Sequence, residues 1–133
     1  MLTDALVLVA EDEPFIALDL ALAIEDVGGK VLGPAASVKE ALALIDGRTV
    51  TAAILDVNLA DRDISPVAEI LLALGIPVIL QTGIEAPPEL MARFPDLVVH
   101  IKPCVAAKLV AELGTLIASC PSAAPPDAGR VAS

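Results

Sequence analysis

Aromatic side chains are nearly missing from this chain. It has no Trp and no Tyr, and its two Phe are Phe15 and Phe94. Any core must therefore be built from Ala, Val, Leu and Ile, which suits buried parallel strands under helices. Basic residues are scarce: 8 Lys and Arg stand against 18 Asp and Glu, for a net charge of −10. Phosphate contacts need clustered cations, so nucleic acid is not an expected partner. Cysteine is limited to Cys104 and Cys120, whose spacing matches no metal motif. In the cytoplasm, the expected compartment, both are reduced thiols.

Long apolar runs are also lacking. A mean hydropathy of +0.80 raises the question of a membrane. The best candidate, residues 70–84, is broken by Gly75, Pro77 and Gly83. It is too short and too interrupted for a spanning helix. The N-terminus carries Asp4 and no basic region, so no signal peptide is expected. A chain of 133 residues has the size of one domain. It can bury a core without disulfides or structural metal.

Five short apolar runs, 5–10, 30–34, 51–55, 76–80 and 97–101, read as strands. Helical segments separate them. The first begins at Pro14, a residue suited to a first turn, and places Ile16, Leu20, Ala23, Ile24 and Val27 on one face. Gly28 and Gly29 end it. The second opens with Ser37 and Glu40 in capping-box spacing. The third runs from Pro66 to about Leu74, and the last from Val105 to Ala118. The segment between Thr82 and Leu97 holds Pro87, Pro88 and Pro95, so the fourth helix should be short or irregular. Alternating strands and helices imply right-handed crossovers in a parallel sheet. The expected fold is α/β: a flavodoxin-like, doubly wound sheet of five parallel strands, with ligands beyond the strands' carboxyl ends. The domain is expected over residues 1–120, and a disordered Ser-, Ala- and Pro-rich tail over 121–133.

Chemistry-bearing residues follow the apolar runs directly. Glu11 and Asp12 follow the first, Asp56 the third, Thr82 and Gly83 the fourth, and Lys102 and Pro103 the fifth. A parallel sheet gathers these ends on one edge. Clustered carboxylates repel unless a cation neutralises them. A hard divalent ion such as Mg²⁺, which takes one or two carboxylates and handles phosphate, fits best. Asp12 and Asp56 are the candidate direct ligands. The Asn58 backbone carbonyl could add another, and Glu11 could act through water. Glu11 and Asp12 also suit the positive end of the following helix, and the two roles are compatible. Asp56 can act as a nucleophile and form an aspartyl-phosphate. Phosphoryl transfer then needs in-line positioning and charge neutralisation. Mg²⁺ would hold one phosphoryl oxygen, Lys102 a second and the Thr82 hydroxyl a third, with Gly83 leaving room beside them.

With those residues in place, the chain resembles the receiver domains of bacterial two-component response regulators over about residues 4–118. The matching positions are Glu11-Asp12, Asp56, Thr82 with Gly83, and Lys102-Pro103. The resemblance implies phosphotransfer to Asp56 from a histidine kinase or a histidine phosphotransfer protein, with Mg²⁺ as cofactor. Three features depart from the pattern. Val99 stands where receivers commonly carry an aromatic switch residue, Cys104 follows the lysine-proline pair where an aromatic is frequent, and the segment from Thr82 to Lys102 is short. The Thr-Gly pair and reduced fourth helix are similar to a divergent group of single-domain receivers, although Leu80, Gln81 and Glu85 do not match that group's signature.

The chain is thus expected to be a phosphoacceptor switch that assists its own phosphorylation and hydrolysis, not an enzyme with a separate substrate. Its output would be protein–protein contact or the draining of phosphoryl groups from a kinase. A phosphorylation-independent binding module is the rival that Val99 motivates. A phosphatase ranks last, because Asn58 offers no general acid two residues after Asp56. His100, alone in an apolar strand, reads as a packed side chain, and Cys104 as a small packed thiol.

Overall fold

The computed structural model describes residues 2–119. The expected tail and Cys120 lie outside the described residues. The elements alternate: β1 (Leu6–Ala10), α1 (Pro14–Asp26), β2 (Lys30–Ala35), α2 (Val38–Ile45), β3 (Ala52–Asp56), α3 (Ser65–Ala73), β4 (Val78–Thr82), α4 (Pro88–Arg93), β5 (Val98–Ile101) and α5 (Ala106–Ala118). The strands form one parallel sheet in the order β2-β1-β3-β4-β5. This is the expected doubly wound, flavodoxin-like architecture. No described helix is long and apolar enough to cross a membrane.

The aliphatic composition explains how both sheet faces are covered. Successive strand residues point to opposite faces, so an uninterrupted apolar strand feeds two cores. Leu8, Ala10, Ala53, Leu55 and Leu80 pack on one side with Val38 and Ala41 of α2 and Val67, Ala68 and Leu71 of α3. Val7, Val9, Ala52, Ile54 and Ile79 pack on the other with Leu20 and Ile24 of α1 and Leu109, Val110 and Leu113 of α5. β3 and β4 are buried along their whole length.

Two boundaries differ from expectation in ways that shape the site. β4 does not end at Leu80 but continues through Gln81 and Thr82, which pair with His100 and Ile101 of β5. The Gln81 side chain finds a partner in Glu11, and the Thr82 hydroxyl is held by Ile84 and Glu85 of the following loop. Pro77 lies before the strand, where its missing N–H costs nothing, and its carbonyl accepts from the Ala53 N–H at 3.0 Å. In α1, Ala17, Leu20 and Ile24 are buried. Ile16 and Ala23 are only half-buried. Phe15, Leu18 and Leu22 face outward. The helix is apolar on nearly all sides, so periodicity alone could not fix its inner face.

The start of α2 shows how a distant loop is tied down. Ser37 Oγ accepts from the Glu40 N–H at 3.0 Å, as a capping residue should. Glu40 Oε1 accepts from Ala36, one residue before the expected partner. Asp61, in the β3–α3 loop, takes the remaining donors: its two oxygens accept from Val38 at 2.8 Å and Lys39 at 3.1 Å. Those donors, the Val38 N–H first, hold the Asp61 carboxyl below its ordinary value of 3.8. A lowered folded-state value means the contribution is complete well above 3.8 and is lost as pH falls below it through the folded-state value. Asp61→Ala should therefore lower the urea unfolding midpoint at neutral pH. The gap to wild type should close as the titration is repeated at pH values below 3.8.

Candidate functional site

β1 and β3 are neighbours at the centre of the sheet, yet the chain leaves β1 toward β2 on one side and β3 toward β4 on the other. Such a reversal opens a crevice beyond the strands' carboxyl ends. Glu11 and Asp12 follow β1 at this crevice, and Asp56 is the last residue of β3. One oxygen from each of these three carboxylates lies within 4.8 Å of the other two.

Lys102 closes the cluster from β5. Its Nζ donates to Asp56 Oδ2 at 2.8 Å and to Glu11 Oε1 at 3.1 Å, with Glu11 Oε2 at 3.4 Å. The lysine is aimed by its backbone: its N–H donates to the Thr82 carbonyl at 2.7 Å. The Lys102–Pro103 peptide bond is cis. Burial by itself pulls the ammonium down, but the hydrogen bonds to Asp56 and Glu11 outweigh it, and the Lys102 pKa is raised. The lysine is therefore a fixed positive charge.

Glu11 has no exposed side-chain surface. Besides Lys102, its carboxylate accepts from Gln81 Nε2 at 3.0 Å and from the Glu13 N–H at 3.0 Å. Burial still pushes its pKa up, only partly opposed by the Glu13 N–H and Lys102. With three donors on it, Glu11 is less suited to ligate a metal directly than the exposed Asp12. Asp56 keeps one oxygen on Lys102, while Oδ1 accepts from the Asn58 N–H at 3.2 Å. Asn58 bridges Asp63 through flanking groups, Ile64 N–H to Val57 carbonyl and Leu59 N–H to Arg62 carbonyl. The Asn58 carbonyl stays outside that pair of bonds. An all-oxygen donor set of Asp12, Asp56 and this carbonyl is compatible with Mg²⁺.

Thr82 is fully buried at the same sheet edge. Its hydroxyl, however, is engaged by its own loop: Oγ1 accepts from Ile84 at 3.3 Å and donates to the Glu85 carbonyl at 3.5 Å. The structure thus gathers Glu11, Asp12, Asp56 and Lys102, and leaves the Thr82 hydroxyl beside them in a turn.

No protein-family model and no curated protein matches the chain. Solved structures do. SdrG from Sphingomonas melonis Fr1 is 35% identical, with 88% of this chain and 97% of that one covered, at a TM-score of 0.70. A CheY-like response regulator receiver domain from Methanospirillum hungatei JF-1 has the same fold, at a TM-score of 0.74, 22% identity and coverage of 87% and 95%. The chain belongs to the response-regulator receiver domains. The response regulator PhyR from Brucella abortus is 33% identical, with a TM-score of 0.67. There 89% of this chain matches 51% of PhyR, so the receiver spans about half of that protein.

The receiver's departures are now visible. Val99 is half-buried and packs into the core shared with α2 and α3. His100 is not simply packed: it is about 38% exposed, with Nε2 2.6 Å from Glu112 Oε1 of α5. Cys104 Sγ donates to the Ile101 carbonyl, and burial, partly opposed by Lys102, raises the thiol's pKa. Sequence reasoning missed the role of Gln81. Its signal was strand alternation: Ile79 and Val9 face α1 and α5, so Gln81 and Glu11, each two residues on, share that face.

Removing one partner of a buried ion pair strands the other charge. Lys102→Ala leaves two carboxylates, 0% and 8% exposed, without their cation. We expect a loss of about 3 kcal/mol in unfolding free energy at pH 7 in EDTA, read from urea melts.

Proposed function

We propose that this receiver is a phosphorylation switch whose acceptor is Asp56, loaded by a phosphohistidine on a histidine kinase or phosphotransfer protein. The observation that carries the reading is the 2.8 Å contact between Lys102 Nζ and Asp56 Oδ2 within the three-carboxylate cluster. A lone acid at a strand end could be a loop cap. An acid fixed by a shared lysine and flanked by two more acids is built for phosphoryl chemistry.

In the proposed step an Asp56 oxygen attacks phosphorus and a P–O bond forms. The donor P–N bond breaks, and its electron pair leaves with the imidazole nitrogen. Lys102 is already charged and needs only to follow the developing phosphoryl oxygen. Thr82 would release Ile84 and Glu85 and donate to another oxygen. Bound Mg²⁺, held by Asp12, Asp56 and the Asn58 carbonyl, would neutralise charge on the phosphoryl group. Glu11 stays behind as a fixed acceptor for Lys102, or reaches the ion through water. The same constellation would assist hydrolysis, so the chain acts on its own acyl phosphate and on no separate substrate.

The added charge, about −1.5 to −2 by analogy with other phosphoresidues, then biases a two-state equilibrium. Output would be contact with a protein target or the draining of a kinase. Phe15, Leu18 and Leu22 on α1 and the loop at Pro103 and Cys104 flank the site and are the proposed docking surface. The half-buried Val99 favours one second reading, a receiver-fold module that binds its partner without phosphorylation. In that case Asp56→Asn leaves partner affinity unchanged.

The test is intact mass after incubation with phosphoramidate or acetyl phosphate and Mg²⁺. The switch predicts one labile phosphate adduct on wild type, absent in Asp56→Asn and in EDTA. No adduct with small donors calls for a phosphorylated histidine kinase as donor. Failure there as well favours the constitutive module.

A further inference from the structure

Gln81 is a buried polar side chain that the phosphoryl step does not use. It is 1% exposed and sits in the penultimate position of β4, paired in register with Asp56 on β3. Its amide nitrogen donates to Glu11 Oε1 at 3.0 Å. The orientation of the amide is fixed by chemistry, since its oxygen could not face a carboxylate that offers only lone pairs. Lys102 Nζ reaches the same Glu11 oxygen at 3.1 Å. Gln81 and Lys102 therefore share one acceptor atom, and Lys102 is also held by Asp56 at 2.8 Å.

We infer that Gln81 is a positioning residue that frees Lys102 for the phosphoryl group. A buried carboxylate that loses a donor pulls harder on those that remain. When Lys102 moves toward a phosphoryl oxygen, Glu11 Oε1 keeps the Gln81 amide and is not left bare. The Glu13 N–H stays on Glu11 Oε2, so without the Gln81 amide Oε1 is satisfied only by retaining the lysine, and the lysine's contribution to transfer is weakened. Gln81 touches no reacting atom and acts entirely through Glu11. The inference rests on Asp56 being the acceptor, and its test separates the two.

The variants are Gln81→Leu, close in shape but without a donor, and Gln81→Met, unbranched, as a second should Leu fail to fold. Each is made with Glu11 and with Glu11→Gln, closing a double-mutant cycle. The first readout is the initial rate of adduct formation with phosphoramidate at saturating Mg²⁺. Loss of a hydrogen bond to a charged group should slow it by about tenfold when Glu11 is present. In the Glu11→Gln background the same change should have less than about a twofold effect, because residue 11 no longer carries a charge that competes for Lys102. Equal slowing in both backgrounds, or none in either, overturns the inference. The second readout is the ¹H–¹⁵N signal of the Lys102 ammonium without any phosphodonor. It should shift on Gln81→Leu when Glu11 is present and stay put in Glu11→Gln. If wild type takes no phosphoryl group, the acceptor reading falls, and this signal alone decides the role of Gln81; an unshifted signal sinks it.

Discussion

One ammonium group holds the edge of this sheet together. Lys102 bridges two carboxylates that burial would otherwise set against each other. Buried ion pairs are not generous sources of stability, because desolvation of the charges offsets most of the attraction. Their geometry is nevertheless demanding. Here it is met by three further donors, from Gln81, Glu13 and Asn58, which occupy the carboxylate oxygens alongside the lysine. The arrangement is better understood as a stored tension than as glue. Four strand ends, those of β1, β3, β4 and β5, hold a negative cluster around one cation.

Sheet topology makes that cluster possible. The participating residues lie at or near the carboxyl ends of these strands, and the parallel order brings those ends to one side. The strands themselves need only be apolar and short. Their two-faced burial against α1 and α5 on one side and α2 and α3 on the other makes a rigid platform from aliphatic residues alone. The polar cluster sits on that platform at the strand ends and in the loops that follow them. Asp61 shows the same logic at a distance, fastening the loop that carries Asn58 to the start of α2.

Much of this was legible in the sequence for a simple reason. An apolar run followed at once by an acid, a threonine or a lysine marks both a strand and its polar end. Glu11, Asp56 and Lys102 carry that mark, and Asp12 and Thr82 stand one residue further on. Gln81 did not, because a polar residue after Leu80 reads as the end of a strand until Glu11 is known to face it. Asp61 was equally hidden: its partners lie 22 and 23 residues away, and no local pattern announces them. The inner face of α1 was blurred by apolar residues on its outer side, so Ala17 escaped notice while Ile16 was favoured. The hydroxyl of Thr82 could be placed at the site but not oriented, since its loop partners depend on how the chain turns after Gly83.

Val99 sets a limit on how this receiver can speak. A β-branched side chain is stiff at χ1 and cannot swing between an inward and an outward pose as a long flat ring can. Under the proposed switch, a change at Asp56 would have to be written in the backbone of the loop after Thr82, held now by the contacts to Ile84 and Glu85. That loop follows the strand that pairs with Asp56, and under the proposed switch a phosphodonor would approach beside it. Sender and listener would then compete for one doorway, and the molecule would deliver its message only after the donor has left.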